Sequence, residues 1–380
     1  MDAYIPPPPP ALVKRVPFYY STKQVIGVSG TEGFSGESPD YVRTSTAAAM
    51  TMGFKPGKFY RDARLYCVNL LLTYEEGCSA RCAYCGLSGS RGTPDPQEDQ
   101  SFIRVDWPTV PLSEVVSRLG RDSTPHVERV CVSMITNLRA REDTLTVVER
   151  LKPAAERISV LITPTIVDRG WLLELRHAGA DMVGVAVDAA TPELFDKLRG
   201  SGVGGPHEWG KYWRTLEEAV SVFGRMNVGI HIIVGVGETE REMVDTFARA
   251  HRMGARVHLF SFFPEEKSLM ERQPQPPMDQ YRRMQLARYL IEHDLSSPDA
   301  MTFDGGDRLA GFGMPEEKLD AIIDLGLPFM TSGCPGKTMD NACNRPFANE
   351  TPAQAEKGLM RNFPFPPERR DLDRIRKQLG

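Results

Sequence analysis

Four things are missing from this sequence, and each absence argues against a class of function. No apolar run is long enough to span a bilayer, which argues against a membrane-embedded protein. There is no excess of basic charge: 46 Lys and Arg against 50 Asp and Glu leave a net charge of -4, and no basic patch stands out. No nucleic-acid partner is therefore expected. The histidines, at 126, 177, 207, 231, 251, 258 and 293, lack the paired spacing of a zinc site. Nor is there an even cysteine framework. Seven cysteines stand at 67, 78, 82, 85, 131, 334 and 343, three of them within eight residues, which fits reduced, metal-binding thiolates better than disulfides. The opening MDAYIPPPPPALVKR has no basic start followed by an apolar core, so a cytoplasmic location is the expectation.

What is present suffices for one large core or two modest ones, with 41% hydrophobic and 8% aromatic residues. Pro6 to Pro10 favour polyproline II, and residues 26–38 carry no apolar period, so residues 1–64 are read as an extended arm. From there apolar runs alternate with stretches of helical period. Strands are expected over 65–72, 127–134, 158–163, 182–187, 228–234, 257–263 and, weakly, 301–303. Helices are expected over 143–152, 170–178, 215–224 and 240–253. This βαβα order predicts an α/β fold: a partial or complete parallel (β/α) barrel over 65–300, with its chemistry on loops after the strands. Residues 301–380 read as an extension placed to cover the barrel mouth. It holds a short helix over 315–325 and an exposed, mixed-charge helix over 361–377.

The segment from Gly77 to Gly86 puts Cys78, Cys82 and Cys85 on one tight loop. Three thiolates can hold three irons of a 4Fe-4S cube and leave the fourth without a protein ligand. An open iron can chelate the amino and carboxylate groups of S-adenosylmethionine while the cluster passes an electron to the sulfonium. A zinc site or buried structural thiols are the plainer readings, but zinc knuckles usually pair two Cys with a distant second pair. With Cys-x3-Cys-x2-Cys and Tyr84 before the last Cys, the loop resembles that of the radical S-adenosylmethionine (radical SAM) superfamily. Cys85-Gly86-Leu87-Ser88-Gly89-Ser90-Arg91 and Ile233-Val234-Gly235-Val236-Gly237-Glu238-Thr239 are similar to the biotin synthase-like branch.

The resemblance implies further cofactor contacts. Tyr84 belongs to the cluster motif. Gly235, Gly237 and Glu238 fall on the turn that approaches adenine, and Asp188 on the carboxylate that binds ribose, although the companion Asn of that branch is Ala186 here. An N-cap is the alternative for Asp188, but Thr191 already supplies one before Pro192. Thr136 and Asn137 occupy the place of a Gly-Gly-Glu segment that holds the methionine amino group, and they could equally cap the next helix. Arg199 is a candidate for the methionine carboxylate, with an exposed helix-end arginine as the alternative. Glu265, Glu266 and Lys267 read as solvated loop charges, and His231 and His258 as strand residues able to face the barrel interior.

Cys334 and Cys343 stand among Gly and Pro, a loop context suited to holding a cluster. Strand alternation puts Cys67 on one face with Asn69 and Leu71, so it can supply a third ligand. Cys131, alone on its strand, reads as a core thiol. Of the barrel-strand positions that hold the sulfur-donating cluster in biotin synthases, only that of Cys131 is retained here, the others being apolar residues or Gly229. The tail cysteines make the chain similar to the biotin synthase-related proteins of two-component lipoyl synthases. That similarity implies a sulfur-donating auxiliary 4Fe-4S cluster at Cys67, Cys334 and Cys343. It also implies an octanoylated carrier protein or other small acyl substrate, a second radical SAM subunit, and a reductant such as flavodoxin or ferredoxin. A radical isomerase, carbon-bond-forming enzyme or maturase of the same branch, or a non-catalytic iron-sulfur scaffold, are the alternatives.

Overall fold

Runs such as Val228–Val234, rich in Val and Ile and buried at five of seven positions, pair as interior strands of a sheet covered on both faces. The computed structural model describes residues 36–91, 101–102, 104–120, 124–344 and 360–379. Most of the expected arm, residues 1–35, lies outside these. One sheet contains β1 (Tyr41–Thr44), β2 (Cys67–Leu71), β3 (Thr109–Pro111), β4 (Arg129–Ser133), β5 (Ile158–Ile162), β6 (Met182–Asp188), β7 (Val228–Val234) and β8 (Arg256–Ser261). Its order is β8-β7-β6-β5-β4-β2-β1-β3. The six strands from β2 to β8, leaving out β3, are parallel neighbours in chain order, and β1 runs antiparallel between β2 and β3. This is a partial parallel β/α barrel, open along one side.

The helices between the strands are α1 (Thr46–Thr51), α2 (Leu112–Arg118), α3 (Ala140–Leu151), α4 (Arg169–Ala178), α5 (Pro192–Arg199), α6 (Trp209–Phe223) and α7 (Glu240–Met253), followed by α8 (Met278–Glu292). Their ends follow local chemistry. Asp168 and Thr191 accept the Trp171 and Leu194 amides, and Thr239 with Glu242 forms a reciprocal capping box. Helix α6 starts six residues before its expected position, because buried Tyr212 and Trp213 extend its apolar face towards the amino end.

The expected seventh barrel strand is a correction. Thr302–Phe303 instead pairs antiparallel with Leu309–Gly311 in a separate hairpin. The Asp304 carboxylate accepts the Gly306 and Arg308 amides at 2.9 and 3.0 Å, fixing a tight turn where a crossover helix would have been needed.

The carboxy-terminal extension crosses the open side of the barrel. Ser332 Oγ accepts the Leu259 amide of β8 at 2.8 Å, and Phe363 exchanges backbone bonds with Phe329 and Thr331. Asn344 then bonds the Tyr66 amide and the Arg64 carbonyl at 3.2 and 2.7 Å, just ahead of β2. The tail thus satisfies backbone groups on the open edge of β8 and just ahead of β2. Its helices are α9 (Glu316–Leu325) and α10 (Arg369–Leu379). The second is not the exposed helix expected: Leu372 and Ile375 are buried, and Asp371 takes two bonds from Arg61 at 2.6 and 2.9 Å. Three apolar residues among eight charged and polar ones leave too faint a period to read.

Candidate active site at the carboxyl ends of the strands

The cysteine loop follows β2 and is tied down by backbone bonds to three other elements. Thr136 O accepts both the Ser79 amide at 2.8 Å and the Ser79 hydroxyl at 2.7 Å. Leu198 O accepts the Ala83 amide at 2.7 Å, and Ala83 O the Met270 amide at 3.2 Å. Gly89 closes the far end on Ala80 O at 2.7 Å, and a Cβ there would stand 2.6 Å from the Cys78 carbonyl, so only glycine fits.

Two amides point at sulfur: Thr136 N–H at Cys78 Sγ and Leu87 N–H at Cys85 Sγ, each at 3.4 Å. Such donors favour the thiolate. Burial works against it, pushing the Cys82 thiol up to about 11 against the opposing pull of Arg199, and holding Cys85 well above its ordinary value. Only a bound cation or cationic cluster would offset that desolvation. Among the described residues no three His, Cys, Asp or Glu side chains are grouped as one metal ion requires. The thiolates of a cube attach to different irons, so the loop suits a cluster rather than a single ion.

Beside the loop opens a cavity lined by Cys78, Cys82, Tyr84, Cys85, Thr136, Asp188 and Arg199, with an apolar wall from Leu71, Ile135, Leu161, Ile233 and Phe260. Asp188 enters it because β6 shifts register between Ala186 and Asp188 and the Asp188 backbone takes a φ of 65°. Its Oδ2 receives the Tyr84 hydroxyl at 2.5 Å and Arg199 Nη1 at 2.8 Å. The carboxylate is not an N-cap, since Thr191 fills that role. Arg199 is not an exposed helix end: it is buried, bonds the Ala186 carbonyl and reaches the Tyr212 hydroxyl at 3.1 Å. Burial pushes Asp188 above the usual carboxylate range, with Arg199 and Tyr84 opposing.

Thr136 grips the cluster loop and lines the cavity. Asn137 reaches Gly77 O at 3.4 Å with its amide and accepts the Arg139 N–H at 3.0 Å, so it joins the loop to the entry of α3. Gly235, Gly237 and Glu238 stand outside the cavity lining. The Glu238 carboxylate folds back on the amides of residues 235, 236 and 237 at 2.6, 2.9 and 3.1 Å, bracing the turn after β7. Glu265, expected as a solvated charge, is instead buried, lines the cavity and accepts the Arg104 amide at 2.9 Å.

A second thiol group lies inside the barrel at the amino ends of the strands. Cys67, Cys131, Cys334 and Cys343 are all buried together around Met182. His258 and His231 both face inward: His258 Nε2 is 3.9 Å from Cys334 Sγ, its ring meets His231 edge-on at 5.5 Å, and His231 lines the upper cavity.

Residues 74–250 match the family model described as the Radical SAM superfamily. These residues, a little under half of the chain, resemble a radical SAM superfamily domain. No curated protein sequence matches the chain. Among solved structures, it is similar to HydG, a maturase of the [FeFe]-hydrogenase, at 13% identity over 65% of this chain and 53% of that one, with a TM-score of 0.48. It is also similar to methylornithine synthase (PylB), at 16% identity over 65% and 66% of the two chains, with a TM-score of 0.45. The radical SAM methyltransferase TsrM from Kitasatospora setae matches at 16% identity over 82% and 62%, with a TM-score of 0.37. The chain thus spans about half the length of HydG. No helix among the described residues is long and apolar enough to cross a membrane.

Such a domain implies a 4Fe-4S cluster and S-adenosylmethionine, and the loop's three thiols, with amides aimed at two of the sulfurs, fit the former. His207 gives a pH test of the wall behind the site. It accepts or shares protons with Thr165 and Tyr212 at 2.6 and 3.0 Å, and burial, with Arg199 nearby, lowers it to about 2. Its unfolded value is 6.5, so protonation favours the unfolded chain, and the penalty grows as pH falls below 6.5. Between pH 7.5 and 5.5 the chain is expected to lose about 1.4 kcal/mol through this group. Urea titrations of wild type and His207→Gln at both pH values check this: parallel changes in the two proteins exclude it.

Proposed function

We propose that this chain is a radical SAM sulfur-insertion enzyme, a lipoyl synthase component acting on an octanoyl-lysyl carrier protein or peptide. The carrying observation is that one barrel holds two separate thiol groups, Cys78, Cys82 and Cys85 beside the cavity and Cys67, Cys334 and Cys343 within the barrel. In this reading the first set holds the cluster that binds S-adenosylmethionine, and the second holds an auxiliary cluster as sulfur source. When bound, the first cluster and its cofactor supply a radical able to remove hydrogen from an unactivated carbon.

The chain's own groups would bind and orient. Asp188 Oδ1, with Oδ2 already engaged by Tyr84 and Arg199, would accept from a ribose hydroxyl. Tyr84 and Arg199 hold that carboxylate in one rotamer. The wall of Leu71, Ile135, Leu161, Ile233 and Phe260 suits an alkyl chain and keeps water from the reacting carbon. A flavodoxin or ferredoxin would supply the electron, and a second radical SAM subunit would complete the reaction.

The test is incubation of the anaerobically reconstituted chain with S-adenosylmethionine, reductant and octanoylated carrier peptide, with and without a candidate partner. Mass spectrometry is expected to show sulfur added to the peptide. Formation of 5'-deoxyadenosine with no sulfur gained under either condition would reject sulfur insertion while leaving the radical chemistry in place.

A further inference from the structure

The lower thiol group contains one cysteine more than the sequence assigned to it. Cys131, on β4, packs not with the aliphatic core but with Cys67 from the start of β2 and with Cys334 and Cys343 from the tail. In register, Cys131 sits between Asn69 of β2 and Ser159 of β5, so it belongs to the inward-facing layer of the barrel.

The surroundings are built to present sulfur. Cys334 O accepts the Ala342 and Cys343 amides at 3.0 and 3.1 Å, which folds the tail into a loop with both thiols facing the strands. Gly333 is packed so closely on the Cys343 carbonyl that a side chain there would collide with it. The Arg129 guanidinium, buried and bound to Asp181 at 2.6 and 2.8 Å, also donates to Pro335 O at 2.6 Å and so anchors that loop beside the thiols.

Two polar side chains approach the sulfurs themselves, with three contacts between them. Asn69 Nδ2 lies 3.8 Å from Cys67 Sγ and 3.9 Å from Cys343 Sγ, and His258 Nε2 lies 3.9 Å from Cys334 Sγ. The Asn69 amide, shared between two sulfurs, is a donor that suits thiolates better than neutral thiols. Asn69 is 1% exposed, and its Oδ1 has no hydrogen-bond partner in the protein, a second sign that something polar shares this space. No disulfide joins any of the four cysteines, and among the described residues no three His, Cys, Asp or Glu side chains are grouped as a single ion would demand. Disulfides and a lone zinc ion both fit less well than a centre of several metal atoms.

We propose that Cys131 is the fourth thiolate, with Cys67, Cys334 and Cys343, of one iron-sulfur cluster at the amino ends of the strands. This rests on the reading of a second cluster, and it does not depend on sulfur insertion. Four protein ligands leave no vacant iron, so this centre, unlike the upper one, is not a site for S-adenosylmethionine.

The experiment isolates the lower site in the full chain by the changes Cys78→Ala, Cys82→Ala and Cys85→Ala, followed by anaerobic reconstitution and analysis of iron, sulfide and the electron paramagnetic resonance spectrum. About four irons per chain are expected; because three thiolates can still hold a cube with one open iron, adding Cys131→Ala is expected to leave an iron-sulfur centre with a changed spectrum and midpoint potential, whereas adding Cys334→Ala as well should bring the iron below about one. Cys131→Ser, nearly the same size, keeps the fold within reach and is expected to shift the spectrum and midpoint potential. The proposal is overturned if the parent variant binds zinc or no iron, or if Cys131→Ala and Cys131→Ser both leave spectrum and potential unchanged. A four-iron lower centre in a chain that never transfers sulfur would sustain the ligand assignment and reject the activity proposed above.

Discussion

Cys82→Ala is expected to lower S-adenosylmethionine cleavage by at least about a thousandfold and to remove about four irons per chain from the anaerobically reconstituted protein. The loop offers three thiolates within eight residues, and a cube held by three has no spare ligand to lose. Cys82 is only 8% exposed, so a solvent thiol is poorly placed to substitute for it. The companion change Ser79→Ala separates loss of a ligand from loss of loop shape. It deletes the hydroxyl bond to Thr136 O but leaves the amide bond to the same oxygen, and should keep most of the iron and activity. Iron content and 5'-deoxyadenosine yield, measured on both variants, decide the matter. Undiminished iron in Cys82→Ala, with the lower thiols also intact, would remove this loop as a cluster site.

Arg199→Met is expected to destabilise the chain by about 3–5 kcal/mol, the usual cost of stranding one member of a buried ion pair. Arg199 and Asp188 have side chains only 5% and 13% exposed, and Tyr84 shares the same carboxylate oxygen. Without the guanidinium, Asp188 keeps one neutral donor in a buried site that already pushes its carboxyl upward, so it is expected to take a proton. The Cys82 thiol loses the opposing cation as well, which raises it further and weakens cluster loading. The double change Arg199→Met with Asp188→Asn removes the unpaired charge and should recover at least about half of the lost stability. Guanidinium unfolding of the four proteins of this cycle measures the coupling. A single-variant loss below about 1 kcal/mol would show that water reaches the pair and that it does not hold the site together.

The cluster loop was legible because its ligands are local: the spacing of Cys78, Cys82 and Cys85 states the chemistry without reference to the fold. The six parallel strands were legible for a similar reason, as apolar runs flanked by capped amphipathic helices. The Arg199–Asp188–Tyr84 network was only half visible. Its members stand on α5, β6 and the cysteine loop, and a register shift in β6 with a left-handed backbone at Asp188 brings them together. Glu265 was misread because a run of charges after a strand gives no sign that one of them turns inward.

Cys131 shows the limit most sharply. Alternation along a strand says which residues share a face, but not which faces of six strands meet, nor that a tail some two hundred residues later returns to the same interior. By itself the sequence determined the α/β pattern and the upper thiol loop, because both are set by neighbours along the chain. Only the tertiary structure decided that the barrel stays open and is crossed by its tail, and that four cysteines from distant segments converge. Sheet curvature and long-range hydrogen bonds control those outcomes, and neither leaves a local period to read.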